Sequence, residues 1–416
     1  MRSTVRWIAI GLCLGTFSLP VGAAPRVPAG PDRTTAAPSA GHPPGPSGPP
    51  SALLMEVSTG QVLESTDPHR RLPPASLDKL MTFYLTLDAL RTHRLTLATE
   101  VTVSETAWRI GRIKGSSRMF LNVGDAVTVE QLLYGLMIAS GNDAAEVLAE
   151  ALAGSGSQFV DEMNATAARL GMHDSHFVTA HGLPNPGEYT SAWDMGLLAR
   201  QILVTFPEAI TYSSPHYETY AGIRQANWNN LVFRDPRVDG LKTGFTNESG
   251  FHIVASARRE GLRLIAVVMG AHKLQERTGI AEQLLNLGFA RYALVPIPWQ
   301  QIVPSALTVY GGNARQLGLE TPRALEVLLP KGDRAPLTIS EEVSVAPVAP
   351  FRKGQQVGTL TIRTPTAVLV TSPLVATANV DRARMFARLW GMLRYSIGGV
   401  FHHRTAVWTG AFTPPQ

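Results

Sequence analysis

The stretch PPASLDKLMTFYLTLDAL, residues 73–90, decides the fold, because its apolar residues recur with the spacing of a buried helix. Its two prolines suit the approach to that helix and the first turn. Ser76 and Lys79 lie three residues apart near the start, so their side chains are within reach of each other. A hydroxyl beside a lysine becomes a nucleophile when burial keeps the amine neutral. The same pair also occurs in capped helices with a solvated lysine, so this stretch alone leaves both interpretations open.

A second group of small polar residues, Ser140 and Asn142, separates two apolar runs with helical spacing, residues 129–138 and 143–152. One interpretation is a turn between two helices in which Asn142 or Asp143 caps the second helix. The other is a catalytic pair of side chains. The interruption by itself does not decide between them.

A third group, Lys242, Thr243 and Gly244, precedes two strand-like runs, residues 250–258 and 262–269. Glycine lets another backbone or a ligand approach the edge of a strand closely, where exposed N–H groups can hold a substrate oxygen. A strand with a surface lysine is the alternative. The order of the three groups along the chain matches a trio found in serine β-lactamases and penicillin-binding proteins, which favours the catalytic interpretation of all three.

The similarity extends beyond this trio. The segments PPASLDKLMT, KGSSRMFLNVGD, ASGNDAA, FVTAHGLPNPGEYTSAWDM and VDGLKTGFT resemble segments of the low-molecular-mass penicillin-binding proteins that are D-alanyl-D-alanine carboxypeptidases. The resemblance covers residues 53–294. It implies a mixed α/β (α+β) fold of the serine β-lactamase/transpeptidase type, in which an antiparallel sheet lies beside a helical subdomain with the active site in the crevice between them.

The resemblance also implies a role for each site residue. Ser76 would attack the penultimate D-alanine of a peptidoglycan stem peptide, Lys79 would take its proton, and Ser140 would relay that proton to the leaving D-alanine. The backbone N–H groups of Ser76 and Phe245 would form an oxyanion hole, and β-lactam antibiotics would be covalent inhibitors. The other substrate-binding residues would be Asn142 for an amide, Lys242 for a positive field, Gly244 for close approach, and Thr243 and Arg277 for the terminal carboxylate.

Two residues depart from the family pattern. Asp78 stands where Thr or Asn is common before the lysine, and Phe245 stands where many relatives carry His. An aspartate in the first turn is favourable to the helix dipole, so we expect Asp78 to point away from Ser76 and to leave the nucleophile intact. Phe245 still contributes a backbone N–H to the oxyanion hole.

Three other functions stay open. A serine β-lactamase shares the fold and the trio, but no Glu-x-x-x-Asn element that would activate its deacylating water lies between Asn142 and Lys242. A D,D-endopeptidase would use the same residues, and a silent cell-wall scaffold would keep the fold without catalysis. The sequence carries no metal or cofactor signature, so we expect an enzyme that uses neither.

The N-terminus predicts export. Residues 1–24 combine Arg2 and Arg6 with a short apolar run and small residues, which is typical of a secretory signal peptide. The single cysteine, Cys13, lies in that run, so the mature chain is expected to lack cysteine nucleophiles, disulfides and zinc–thiolate sites. Residues 25–50 are rich in Pro, Gly and Ser and predict a disordered spacer.

The formal net charge of +5 raises the question of an acidic partner. No zinc-finger, RNP or basic-helix signature accompanies the charge, so nucleic acid is not the expected partner. An anionic membrane or cell wall fits better, and the expected location is the periplasmic face of the inner membrane.

The rest of the chain is predicted to form a peptidase domain at residues 51–295 and a small all-β sandwich at residues 296–380. An amphipathic helix is predicted at residues 381–402, and residues 403–416 are left as a tail. Apolar side chains occupy one side of that helix and arginines the other, which is typical of a helix that lies peripherally in a membrane surface. A helix docked on the β domain is the alternative.

Overall fold

The computed structural model describes residues 47–385, 390 and 407–414. The strands are, in chain order, β1 (Ser51–Glu56), β2 (Val62–Thr66), β3 (Glu100–Thr102), β4 (Ala126–Thr128), β5 (Tyr217–Tyr220), β6 (Ile223–Ala226), β7 (Val238–Thr246), β8 (Gly250–Arg259), β9 (Leu262–Ala271), β10 (Tyr292–Pro296), β11 (Ala306–Thr308), β12 (Gln316–Glu320), β13 (Glu326–Pro330), β14 (Leu337–Val343), β15 (Gln356–Arg363), β16 (Val368–Ala376) and β17 (Val407–Phe412). The α-helices are α1 (Lys79–Arg91), α2 (Glu105–Arg112), α3 (Val129–Met137), α4 (Asn142–Ala153), α5 (Gly156–Leu170), α6 (Ala192–Thr205), α7 (Ile210–Ser213) and α8 (Leu274–Arg291).

A five-stranded antiparallel sheet with the order β2-β1-β9-β8-β7 forms the centre of the first domain. Both of its faces are covered, and successive residues of a strand alternate between them. On β1, Leu53 and Met55 pack among the helices of the first domain, whereas Leu54 lies in the core that includes α8. Burial on both faces explains why β1 and β9 are almost continuously apolar in sequence.

The helix predicted from residues 73–90 begins later than the prolines suggest. A 3-10 turn, Ala75–Asp78, precedes α1, so Ser76 lies in the turn and Lys79 is the first residue of the helix. Side chains three residues apart eclipse each other in a 3-10 turn, which places Lys79 beside Ser76. The two helices predicted on either side of Ser140 are confirmed as α3 and α4.

The C-terminal region forms the predicted β domain. Six strands make an antiparallel sheet with the order β11-β12-β16-β15-β14-β17, and β10 pairs with β13 in a separate two-stranded sheet. These strands enclose a second apolar core that includes Trp299 and Phe351. Because β10 follows α8 directly, the last helix of the first domain leads into the second domain without a spacer.

The final strand, β17, lies in the segment that the sequence left as a tail. It pairs with β14 over six residue pairs and occupies one edge of the six-stranded sheet. Most of the amphipathic helix predicted at residues 381–402 lies outside the described residues, so that helix stays a prediction. Among the described helices, none is both long and apolar enough to cross a bilayer.

We expect Gly410→Val to destabilise the β domain, because β17 passes close to Ile302 at this point. A Cβ atom at residue 410 would lie 2.8 Å from the carbonyl oxygen of Ile302 and would also overlap its side chain. Overpacking of this kind costs about 1 to 3 kcal/mol of unfolding free energy, measured by denaturant titration. Thr409→Val puts the same side chain on the neighbouring exposed position and should change stability by less than about 0.5 kcal/mol. Equal effects of the two variants would contradict this packing.

Candidate active site

Ser76 is presented by a backbone turn that has no room for larger neighbours. Ala75 has a φ of +51°, a left-handed conformation that is strained for a residue with a side chain. A Cβ at Gly182 would collide with the carbonyl oxygen of Ala75, and a Cβ at Gly244 would lie 3.3 Å from the backbone nitrogen of Ser76. Two glycines from distant segments therefore fix the position of the serine.

Lys79 is fully buried, and its amine makes three hydrogen bonds. The Nζ atom lies 3.0 Å from Ser76 Oγ, 2.5 Å from Asn142 Oδ1 and 2.5 Å from the carbonyl oxygen of His181. Burial lowers the pKa of Lys79 to about 7, although the acidic side chains of Asp78, Asp143 and Glu188 act in the opposite direction. The amine can therefore lose its proton near neutral pH, which is the condition for Ser76 to act as a nucleophile.

The second motif joins the first through Asn142. Its Oδ1 accepts from Lys79, its Nδ2 donates to Ser116 Oγ at 2.7 Å, and it is only 2% exposed. Neither Asn142 nor Asp143 caps α4, whose N-cap is Gly141. The capping interpretation is therefore wrong. Both ends of the Asn142 amide bind protein groups in this structure. The substrate contact expected of Asn142 stays a prediction.

Ser140 is joined to the third motif. Its Oγ accepts from Lys242 Nζ at 2.9 Å, and Lys242 also donates to the carbonyl oxygen of Thr243 at 2.8 Å. Ser140 has a φ of +58°, so its backbone is strained and is held by packing. Burial lowers the pKa of Lys242 well below its usual value, with smaller contributions from the charges of Lys79 and Arg277.

The edge strand β7 borders the site on the side of Gly244 and Phe245. Gly244 lies against the Ser76 turn, so another part of the backbone approaches closely at this position. The substrate contact expected of Gly244 stays a prediction. Phe245 is 39% exposed and its ring lies 4.2 Å from that of Phe251, measured between centroids. The side chain of residue 245 is thus held away from the core, while its backbone belongs to the strand beside the nucleophile.

Arg277 is a buried cation that has no acidic partner among the described residues. It lies in α8, and its guanidinium donates to the carbonyl oxygen of His252 at 3.3 Å and to Asn230 Oδ1 at 3.4 Å. Burial lowers its pKa to about 10, and no acidic group of the described residues opposes that shift. Such a group favours a bound anion, since an unpaired buried charge is costly.

Four groups of the site were missed at the sequence level. Ser116 accepts from Asn142, Ser117 Oγ donates to the carbonyl oxygen of Ser140 at 2.6 Å, and the backbone of His181 binds Lys79. Trp228 donates from its indole nitrogen to the carbonyl oxygen of Ala139 at 3.2 Å. The serines and His181 lie in the quoted segments KGSSRMFLNVGD and FVTAHGLPNPGEYTSAWDM, which was the one signal that could have identified them.

The expectation for Asp78 requires correction. It was expected to favour the helix dipole as a charged carboxylate, but it is fully buried. Burial, followed by the nearby Glu188, raises its pKa well above the usual value. The raised pKa disfavours the charged form on which the dipole interaction depends, so Asp78 needs a different explanation. Among the described residues there is no group of three or more His, Cys, Asp or Glu that could hold a metal ion.

Comparison with known proteins identifies both domains. The sequence model described as D-alanyl-D-alanine carboxypeptidase matches residues 42–273, and the one described as penicillin-binding protein 5, C-terminal domain, matches residues 300–382. The chain is 37% identical over 361 residues to D-alanyl-D-alanine carboxypeptidase DacD of Escherichia coli (strain K12), which covers 85% of this chain and 90% of that protein.

Two solved structures are similar in fold. Penicillin binding protein 5 from Haemophilus influenzae has a TM-score of 0.69 and 32% identity, and the match covers 82% of this chain and 99% of that one. Penicillin-binding protein D2 from Listeria monocytogenes in the ampicillin-bound form has a TM-score of 0.52 and 31% identity, with 57% of this chain and 96% of that one covered.

We expect Gly182→Ala to slow the reaction of Ser76 with a fluorescent penicillin about 10- to 100-fold, since the added Cβ would push the Ala75 carbonyl and displace the nucleophile. Gly187→Ala is a matched control. Both glycines have a left-handed φ, +75° and +89°, but nothing lies within 4 Å of a Cβ at residue 187. Gly187→Ala should lower the melting temperature, because alanine is strained at this φ, and should leave the rate of reaction with the penicillin unchanged. If both variants react at the same rate, the Gly182 contact does not position Ser76.

Proposed function

The chain belongs to the family of D-alanyl-D-alanine carboxypeptidases, and we propose that it removes the terminal D-alanine of peptidoglycan stem pentapeptides through an acyl-enzyme on Ser76. The observation that carries this proposal is the hydrogen bond between Ser76 Oγ and the fully buried amine of Lys79. A serine without a buried base at this distance would remain a weak nucleophile at neutral pH.

The hydrogen bonds of Lys79 support its role as the base. A neutral amine has two N–H donors and one lone pair, while the carbonyl oxygens of Asn142 and His181 can only accept. These two oxygens take both donors, so the lone pair faces Ser76 Oγ. The hydroxyl then donates to Lys79, and its proton moves to the amine as the oxygen attacks.

Attack by Ser76 forms a C–O bond to the penultimate D-alanine and places a negative charge on the carbonyl oxygen. The backbone N–H groups of Ser76 and Phe245 are the proposed donors to this oxygen, and each would contribute roughly 3 to 4 kcal/mol. When the C–N bond breaks, the leaving D-alanine takes up the proton. Ser140, whose Oγ is bonded to Lys242, is the proposed relay for that proton.

The terminal carboxylate of the substrate is the proposed partner of Arg277 and Thr243. Arg277 is buried beside Asn230 and lacks an acidic neighbour among the described residues. Thr243 is 6% exposed and precedes the glycine that lies against the Ser76 turn. A carboxylate bound here would explain why the enzyme cuts at the C-terminus of the peptide.

Water completes the cycle by attacking the acyl-enzyme while Lys79 takes one of its protons. The C–O bond to Ser76 then breaks, the proton returns from Lys79 to Ser76 Oγ, and the shortened peptide leaves. A β-lactam presents its strained amide to the same serine and forms the same kind of ester. Penicillin binding is supported by the similarity to a penicillin-binding protein in an ampicillin-bound form. β-Lactams are therefore proposed covalent inhibitors of this chain.

The nucleophile is tested by intact-mass spectrometry after incubation with benzylpenicillin. We expect one stable adduct on the natural protein and on Ser157→Ala, an exposed serine in α5, and none on Ser76→Ala. The first two proteins should also release D-alanine from a pentapeptide. An adduct that survives Ser76→Ala would contradict the assignment, and consumption of the drug without an adduct would point to a β-lactamase.

The pH dependence follows from the lowered pKa of Lys79. The base must be neutral, so the acylation rate should rise about tenfold per pH unit below a pH of about 7 and become level above it. The expected sign is therefore loss of activity as the pH falls. Single-turnover acylation measured from pH 5 to 9 checks this. A rate that is level down to pH 5 would exclude Lys79 as the base.

We also propose export, the domain division at residues 51–295 and 296–380, and attachment to the inner membrane through residues 381–402. The support for attachment is the amphipathic pattern of the sequence, with Leu389 and Leu393 on the apolar side and Arg388 on the other. Because β17 follows this segment and pairs in the sheet, a deletion to the C-terminus would also remove a strand. Point substitutions are the better test.

Leu389→Glu with Leu393→Glu should release the protein from sedimenting vesicles, whether or not they contain anionic lipid, because insertion of the apolar side is lost. Arg388→Glu should weaken binding to anionic vesicles only, since it alters charge without removing an apolar group. If the double variant still sediments with all vesicles, the segment is not the membrane anchor.

A further inference from the structure

Two carboxyl side chains lie against each other behind the Ser76 turn. Asp78 belongs to the 3-10 turn and is fully buried, and Glu188 is 6% exposed. Glu188 holds the segment that covers this turn. Its Oε1 accepts from the backbone nitrogens of Val178 and Thr179, at 3.1 and 2.9 Å, and from the hydroxyl of Thr179 at 3.1 Å.

The hydrogen bonds of this pair require a proton. Neither oxygen of Asp78 receives an N–H or O–H donor from the described residues, and its hydrogen-bonding neighbour is the side chain of Glu188. Two carboxylates only accept, so they can bond only when one of them is protonated. Three donors stabilise the charge on Glu188, and none stabilises a charge on Asp78. The proton therefore belongs on Asp78, which agrees with its raised pKa.

We propose that Asp78 and Glu188 share a single proton, and that the one negative charge left on this acid pair decides at which pH Lys79 gives up its proton. Asp78 and Glu188 are positioning residues in this scheme, because they act on Lys79 and touch no reacting atom. The inference rests on the proposed role of Lys79 as the base.

The charges that face Lys79 come from several elements. Asp143 and the single negative charge of the Asp78–Glu188 pair favour its protonated form. Lys242 and Lys79 disfavour each other's protonated forms, and burial, the larger effect, also lowers the pKa of Lys242. His181 is neutral, since burial lowers its pKa to about 3.

The negative charge of the acid pair works against the effect of burial, which favours the neutral amine. With one shared proton the pair carries a charge of −1. Removal of this charge would let Lys79 deprotonate at a lower pH, whereas loss of the shared proton would add a second negative charge and keep Lys79 protonated to a higher pH. The pair thereby places the working range of the base near neutral pH.

The test uses two isosteric variants of the full chain. Asp78→Asn keeps the donor to Glu188 and the charge of −1, so the acid limb of the acylation profile should move by less than about 0.3 pH unit. Asp78→Asn with Glu188→Gln removes the charge while its amide oxygen can still accept from residues 178 and 179. The acid limb of this double variant should move to lower pH by about one unit or more, as expected for a charge at close range.

The outcomes are distinct. An unshifted double variant, or a single variant that shifts as far as the double, would overturn the inference.

If the natural protein is not acylated at any pH, the proposed function fails instead, and the shared proton is then detected by a measurement that does not depend on activity. The infrared difference spectrum between the natural protein and Asp78→Asn at pH 7 should then still show the stretch of one buried protonated carboxyl group that the variant has lost. If natural protein and variant give the same spectrum, the shared proton does not exist.

Stability gives a second test that is independent of activity. Above a pH of about 4, Asp78 of the natural protein loses its proton on unfolding, and this ionisation favours the unfolded state. Asparagine does not ionise, so the variant lacks this contribution. The melting temperature of Asp78→Asn should therefore exceed that of the natural protein by an amount that grows from pH 4 to pH 7. A difference that does not change with pH would contradict a protonated Asp78.

Discussion

Burial of the Lys79 amine is the constraint on which the rest of the site depends. An ammonium group removed from water is costly unless its donors are satisfied, and here two carbonyl oxygens and one hydroxyl surround it. The acceptors come from three separate parts of the chain, so the amine is buried only when the turn, α4 and the segment at His181 are all in place. Formation of the base is therefore a consequence of folding.

The strained residues are explained by the same packing. Ala75 and Ser140 both have a positive φ, and each lies next to a group that takes part in the proposed chemistry. Such conformations persist only where surrounding contacts over-determine them. The close approach of Gly182 and Gly244 supplies those contacts at Ala75, and the hydrogen bond from Ser117 does so at Ser140. Close packing around Ala75 and a hydrogen bond at Ser140 thus hold the reacting groups.

The fold was largely predictable because its signals are local. The helices around Ser140, the strands that follow Lys242 and the β domain each show a periodicity that depends only on neighbouring residues. The strand β17 was not predicted. It is short, it contains a glycine, and its place depends on the edge of β14, which lies far away in sequence.

The sequence by itself determined the three motifs, their order, and the chemistry that a serine beside a lysine can perform. Only the tertiary structure decided the electrostatics. It buried Asp78 against Glu188, where the sequence had suggested a charged aspartate in a first helical turn. It also left Arg277 without an acidic neighbour among the described residues. The physical reason is that pKa and desolvation depend on groups that approach through space, and the spacing of residues along a chain does not record which distant groups those will be.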